Sequence, residues 1–355
     1  MNTYTELHDH PVFICGHPKS GTSLLRAILD SHSQLVVYPE ETIFFRRFLP
    51  RAKSLDRQGQ LDLANRYLIH IFSWNRELQP PSQAGFLDRD YSAISYEAVR
   101  CQMRELVESN YRHEGDILSS AILAFGKVSG QISSSTRYWV EKSPYNEYHT
   151  EKIFGWWPEA HCIHIVRDPR DNYASYHLKH PEWSAEFFST NWNRSTNAGI
   201  QNRELYGNSR YLILRYEDLV QSPEKSLRQL IKFLGIQWSA SLSNPTRAGE
   251  QWKGNSMFTD RFQGISAAPV SRWKENLAFP DAAIIEQMTG YYLDYFQYPH
   301  QTLNNMPFFE ALDVHWHVQS WPIRRQLLRF QRGSSRSIRN HDQTHENIDD
   351  DTLND

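Results

Sequence analysis

The sequence predicts an α/β fold of the doubly wound, three-layer kind: a central, mainly parallel sheet, helices on both of its faces, and a helical insertion on one side. Three observations predict it. Residues 11–16, 161–166 and 211–214 are apolar runs, and each leads through a turn into a stretch with helical spacing. Repeated strand, turn and helix units of this kind assemble into a parallel sheet.

The first run, Pro11-Val12-Phe13-Ile14-Cys15-Gly16, is apolar on both faces, which suits a strand in the middle of a covered sheet. Leu24, Leu25, Ile28 and Leu29 then repeat at helical intervals. Between about residues 46 and 130 the spacing is helical, through Tyr67, Leu68 and Ile71 and later Val99, Met103, Leu106 and Val107. Pro80-Pro81 divides that stretch, and no Gly/Ser-rich linker isolates it, so it is expected as an insertion and not a separate domain. The second run, His161 to Val166, enters the turn Arg167-Asp168-Pro169-Arg170-Asp171. The third, Tyr211 to Leu214, enters Arg215-Tyr216-Glu217-Asp218, and Ser222-Pro223-Glu224 then starts a helix in which Ser caps and Pro takes the first turn. A single domain over residues 1–330 is expected, with 331–355 as a disordered tail poor in apolar groups. Arg324 to Arg339 holds six arginines and no acid, and Asp342 to Asp355 six acids and no Lys or Arg. The basic run, with Trp316 and Trp321 upstream, could make weak contact with a membrane surface or a partner, although such a run is more often a solvated helix face.

Composition bounds the function. The 355 residues carry 38 Lys plus Arg against 41 Asp plus Glu, a formal charge of −3, with 39% hydrophobic and 22% charged residues. That is a globular composition without the strongly basic domain of a general nucleic-acid binder, so any anion site must be local and no nucleic-acid partner is expected. No apolar run approaches the roughly 20 residues of a membrane span. Three widely spaced cysteines, Cys15, Cys101 and Cys162, offer neither a disulfide framework nor a CxxC metal site. The polar N-terminus, including Glu6 and Asp9, lacks the regions of a secretory signal, and a cytoplasmic location is expected.

The segment Gly16-His17-Pro18-Lys19-Ser20-Gly21-Thr22-Ser23 stands where a buried strand meets a helix N-terminus, so backbone N–H groups and the helix dipole converge on it. A nucleotide-hydrolysing P-loop would place lysine directly after the second glycine. Thr22 holds that position here, and the cation, Lys19, lies three residues earlier.

This loop resembles the PKSGTT or PRSGTT loop of the sulfotransferases that use 3′-phosphoadenosine 5′-phosphosulfate (PAPS) as sulfuryl donor and leave adenosine 3′,5′-bisphosphate (PAP). Three further segments match in family order. His164-Ile165-Val166-Arg167-Asp168-Pro169-Arg170-Asp171 with Ser175 resembles the element whose Arg and Ser, eight residues apart, bind the nucleotide 3′-phosphate. Arg215-Tyr216-Glu217-Asp218-Leu219 with Phe233-Leu234-Gly235 resembles the YEDL…FLG segment. Gly254-Asn255-Ser256 with Ser271-Arg272-Trp273-Lys274 resembles the closing phosphate-contacting region. The resemblance implies a P-loop-like fold and a donor site of Pro18, Lys19, Ser20, Gly21, Thr22, Ser23, Arg167, Ser175, Tyr216, Asn255, Ser256, Arg272 and Lys274. A fork of Arg donors beside a hydroxyl also suits a phosphate dianion on chemical grounds.

Sulfuryl transfer needs nucleophile, sulfur and leaving oxygen held in line while the shifting charge is stabilised. The resemblance gives Lys19 the leaving phosphate. Glu141-Lys142-Ser143-Pro144 resembles the EKSP segment of tyrosylprotein and heparan-type sulfotransferases, which implies Lys142 as a second active-site cation. Glu40-Glu41-Thr42 resembles the GEET segment of tyrosylprotein sulfotransferases, with Tyr38-Pro39 in place of Gly and one extra residue. That match makes Glu41 the base that takes the acceptor proton, and the extra residue leaves Glu40 open as the alternative. No HExxH or Asp-rich pattern is present, and no metal is expected. The acceptor is a hydroxyl compound whose class stays open among protein tyrosine, glycan, lipid and small alcohol. Two other readings stand beside this one: a P-loop kinase or related phosphotransferase, and a catalytically silent nucleotide-binding protein.

Overall fold

The structure is a computed structural model that describes residues 6–74, 89–254, 264–303 and 306–339, with side chains described as far as residue 326. Its centre is a five-stranded sheet in the order β2-β3-β1-β4-β5, formed by β1 (Pro11–Cys15), β2 (Leu35–Val37), β3 (Tyr138–Lys142), β4 (His161–Val166) and β5 (Tyr211–Arg215). Every pairing is parallel. β1 lies in the middle, flanked by β3 and β4, so the chain winds outward from it in both directions.

The both-faced apolar character of β1 has a direct structural cause. Phe13 and Cys15 point to one side and pack with Trp139, Trp157, Cys162 and the helices of residues 44–128. Val12 and Ile14 point to the other and pack with Leu25, Ile28 and Leu29 and with Leu227, Leu230 and Leu234. Alternate residues of one strand thus enter two different cores, as a period of two requires.

β2 and β3 add to the three strands read from sequence. β2 has only three residues, too few for a periodic signal, and β3, Tyr-Trp-Val-Glu-Lys, ends in two charges that a strand reading disfavours. Both charges are nevertheless buried. Glu141 is satisfied by hydroxyl and amide donors from Thr42, Ser143 and Asn146, and its alternation with Lys142 sends the two side chains to opposite faces.

Ser222 does not cap as expected. It directly follows the helix Tyr216–Gln221, its N–H donates to Asp218 O at 3.0 Å, and its side chain makes no cap bond, so one residue both ends that helix and begins Pro223–Leu234. Asp168 does cap Pro169–His177, accepting from the Arg170 N–H at 2.9 Å. The final helix, Phe308–Arg339, lies on the helix Phe279–Tyr295 and buries Val314 and Trp321 against the body. Residues 340–355 of the expected tail lie outside the described residues.

Candidate active site

β1 ends at the loop singled out in the sequence. Gly16 and Gly21 have φ of +127° and +101°, and each also stands where a Cβ cannot fit: 2.5 Å from Ile165 O in the first case and 2.4 Å from Tyr216 Cδ2 in the second. Gly21 is the N-cap of the helix Thr22–Leu29 and supplies no side-chain acceptor, so the first-turn N–H groups stay open to an anion. The loop is pinned from behind. Glu147 accepts from Gly16 N–H at 3.0 Å, and Asn172 Nδ2 donates to Ser20 Oγ at 2.7 Å.

In front of this loop lies a cavity of about 280 Å³. Pro18, Lys19, Gly21, Thr22, Ser23, Glu41, Arg167, Ser175, Tyr216 and Arg272 all reach its wall. Residues more than a hundred positions apart thereby converge at the C-terminal ends of β1 and β4, where a sheet of this topology changes winding direction and binds ligands. Three expected residues are placed differently. Ser20 is buried with its hydroxyl turned to Asn172, Lys274 is exposed away from the cavity wall, and Lys142 stands behind Glu41. Asn255 and Ser256 lie outside the described residues.

Arg167 could have been tied to its neighbouring acids, but those are engaged elsewhere. Arg170 takes Asp168 and Glu286 in a buried cluster, and Asp171 accepts from the Ser271 and Trp273 N–H groups at 2.7 and 2.8 Å. The Arg167 guanidinium instead donates to Lys19 O at 3.0 Å, Pro269 O at 3.1 Å and Ser175 Oγ at 3.4 Å, and lies 4.7 Å from the Tyr216 ring centre. Its Nε is buried without a partner, and among the described residues no carboxylate pairs with it. That is the donor chemistry of an anion site.

Glu40 and Glu41 diverge. Glu40 accepts from Tyr91 Oη at 2.6 Å and lies 3.0 Å from Arg89 and 3.6 Å from Arg247, within the protein body. Glu41 is 37% exposed at the cavity wall and ion-paired with the buried Lys142 ammonium, which also donates to Ser23 Oγ at 3.0 Å. Burial pushes the Glu41 carboxyl up, but the Lys142 charge and hydrogen bond outweigh it, and the net shift is downward. Burial pulls Lys19 down, aided chiefly by Lys179, to about 8.

Sequence reasoning did not select Arg46, Tyr145, Tyr176, Lys179, His180 or Trp252, all of which line the cavity. Tyr176 through His180 directly follow Ser175 at the end of its helix, and Trp252 precedes the Gly254-Asn255-Ser256 motif, so proximity in sequence was the available signal. The aromatic group Trp183, Phe187, Phe188 and Trp192 is absent from the cavity lining and packs into a core with Tyr173 and Tyr176. Among the described residues, His8, Asp9 and Asp116 have ligand atoms within 4.8 Å of one another. They stand at the N-terminal end of β1, opposite the cavity, and Arg112 already donates to both carboxylates.

Comparison with known proteins agrees with this geometry. The model of the sulfotransferase family matches residues 11–240. The chain is 26% identical over 235 residues to protein-tyrosine sulfotransferase 2 of Gallus gallus, covering 64% of this chain and 52% of that one. It is 27% identical over 262 residues to the omega-hydroxy-beta-dihydromenaquinone-9 sulfotransferase Stf3 of Mycobacterium bovis, covering 65% and 64%. The chain therefore spans about half to two thirds of the length of these curated relatives. Among solved structures, the sulfotransferase domain from the Synechococcus PCC 7002 olefin synthase superposes with a TM-score of 0.54 at 21% identity, covering 82% of this chain and 96% of that one. The matched segment begins at β1 and includes the loop, Glu41, Lys142 and Arg167, and on that basis the chain belongs to the sulfotransferase family.

Proposed function

We propose that the protein transfers the sulfuryl group of PAPS to an acceptor hydroxyl by in-line displacement. The observation that carries this reading is the convergence of Lys19, Arg167 and Ser175 with Glu41 on one cavity whose floor is an uncapped helix N-terminus. Arg167 and Ser175, the former with a buried unpartnered Nε, suit the nucleotide 3′-phosphate, and the open N–H groups at Gly21–Ser23 suit the 5′-phosphosulfate.

In the reaction, the acceptor oxygen bonds to sulfur as the bond from sulfur to the bridging phosphate oxygen breaks. PAP leaves with the bond electrons, and the acceptor proton passes to Glu41. Lys19 neutralises charge developing on the leaving phosphate. Lys142 keeps Glu41 ionised and oriented, so the carboxylate is ready to accept at neutral pH. A preorganised set of cations supplies the stabilisation a more highly charged phosphoryl group would demand from a metal.

Acceptors of the relatives, as their names state, are protein tyrosine and a hydroxylated menaquinone. The cavity wall of Tyr145 and Tyr176, with Arg46 lying 5.0 Å from the Tyr145 ring centre, suits a hydroxyl carried on an apolar or aromatic body. Calorimetric titration with PAP and with ATP plus Mg²⁺, followed by transfer of radiolabelled sulfate from PAPS to peptides, glycans, lipid alcohols and phenols, tests the proposal. Tight PAP binding and labelling of one acceptor class are expected; preference for ATP would overturn it in favour of a phosphotransferase, and PAP binding without transfer to any class in favour of a silent binding protein.

A further inference from the structure

The last helix has two faces. Val314 and Trp321 are buried against the body, Trp321 Nε1 donates to Thr190 Oγ1 at 2.9 Å, and Arg324 reaches Glu186 at 2.8 Å. On the opposite face Phe309, Leu312, Trp316 and Ile323 follow at intervals of three, four and seven residues, so they form one stripe. They are 83%, 49%, 69% and 66% exposed, and Phe308 beside them is 71% exposed. Single exposed apolar residues are ordinary, but a row of five large ones on one helix marks a surface that is covered in use.

Charge identifies what covers it. Phe308–Arg339 carries six arginines against two acids, and both acids, Glu310 and Asp313, fall in its first two turns. Beyond Asp313 the sequence as far as Arg339 holds six arginines and no further acid, and the spacing of the apolar row continues at Leu327 and Phe330. The acidic segment 342–355 could neutralise the arginines but has only Ile348 and Leu353 to offer the stripe. An anionic lipid surface satisfies both parts, taking Phe, Trp, Leu and Ile into its boundary and pairing its headgroups with arginine. No described helix is long and apolar enough to cross a membrane, so such contact would lie in the interface.

We infer that the outward face of Phe308–Arg339 docks this protein on an anionic membrane surface. The helix is fixed to the body close to the cavity: Arg324 holds Glu186, Trp183 precedes it by three residues, and the Trp183 ring lies 4.7 Å from that of Tyr176 in the cavity wall. The inference stands independently of the proposed reaction.

Sedimentation of the full chain with vesicles tests it. Vesicles of phosphatidylcholine with about 30% phosphatidylserine should bind at least about tenfold more protein than phosphatidylcholine alone, and binding should fall steeply between about 0.15 and 1 M salt. The triple variant Phe309→Ser, Trp316→Ser, Ile323→Ser, whose side chains are exposed, should keep the wild-type Tm and lose vesicle binding. Arg329→Glu with Arg332→Glu should lose it as well. No binding to anionic vesicles, or undiminished binding by the triple variant, would overturn the inference. So would a concentration-dependent dimer in analytical ultracentrifugation that the triple variant abolishes, since a second copy would then be what covers the stripe.

Discussion

The buried ammonium of Lys142 is ion-paired to Glu41 and also donates to Ser23 Oγ at 3.0 Å, which joins the end of β3, the cavity wall and the first turn of the helix Thr22–Leu29 in one contact. Glu141, its neighbour in sequence, faces the other way and plays no part in the pair. The effective charge on Glu41 thus depends on a residue that β3 delivers from a hundred positions downstream.

Removing that ammonium has a readable consequence. In Lys142→Met, burial acts on Glu41 without its largest opposing charge, so the carboxyl pKa rises and the base is protonated over a wider acid range. The acid limb of the kcat/KM profile should move to higher pH, with a loss of turnover at neutral pH. An unshifted limb would separate Lys142 from the ionisation of Glu41.

Glu40 and Glu41 should respond differently to the same substitution. Glu41→Gln should lower kcat by about 10²–10⁴ while PAP affinity is retained, as expected for removal of a general base. Glu40→Gln weakens contacts to Tyr91, Arg89 and Arg247 and should cost about 1–3 kcal/mol of stability with a smaller kinetic effect. Parallel kinetics and urea unfolding of the two variants check the division, and slow transfer in the Glu40 variant alone would transfer the base role to it.

Lys19 is held at about 8 by burial, with Lys179 next among the causes. A cation that favours the bound anion is lost from the free protein as pH rises through that value, so PAP affinity should decline above about pH 8. Lys19→Met should bind more weakly at pH 7 and show a flatter profile in the same calorimetric series, together with loss of most turnover.

Arg167→Ala removes a guanidinium fork from the proposed 3′-phosphate site and should weaken PAP binding by about 10- to 100-fold, the range for charge-assisted hydrogen bonds. Because its fixed partners are backbone carbonyls and one hydroxyl, unfolding should change less than binding. Intact PAP affinity in this variant would remove Arg167 from the donor site.

Glu217 provides a test of stability. It is buried, accepts from Asp168 N–H at 3.0 Å and Tyr298 Oη at 2.8 Å, and is raised to about 7 by burial, with the Asp168 charge second. A carboxyl raised in the folded state binds its proton more tightly there than when unfolded. Its contribution is therefore fully present below about 4.5 and lost as pH climbs to about 7. Glu217→Gln should reduce that decline, seen as a smaller fall in Tm between pH 5 and about 8 than in the parent protein.

The form of the proposed donor loop was legible because its requirements are local. A buried strand, two glycines at obligatory positive φ and a helix start are written in consecutive residues, Gly16 to Ser23. The same holds for Arg167 and Ser175, which the turn after β4 and the helix it enters carry eight residues apart. β3 was not legible as a strand, since Glu141 and Lys142 oppose that reading until their partners from Thr42, Asn146 and Glu41 are in place. Nor was the lining by Arg46, Tyr145 and Trp252, which have no shared motif and meet only across the folded sheet.

By itself, then, the sequence determined the parallel α/β architecture, the loop between β1 and its helix, and the proximity of Arg167 to Ser175, because strand periodicity, positive-φ glycines and helix spacing act over a few residues. Tertiary structure decided which of two adjacent glutamates faces the cavity, that Lys142 at the end of β3 pairs with it, and which face of the last helix stays bare. Those outcomes depend on electrostatic and packing partners brought together from distant parts of the chain, and a charge takes its role from the partners it finds there.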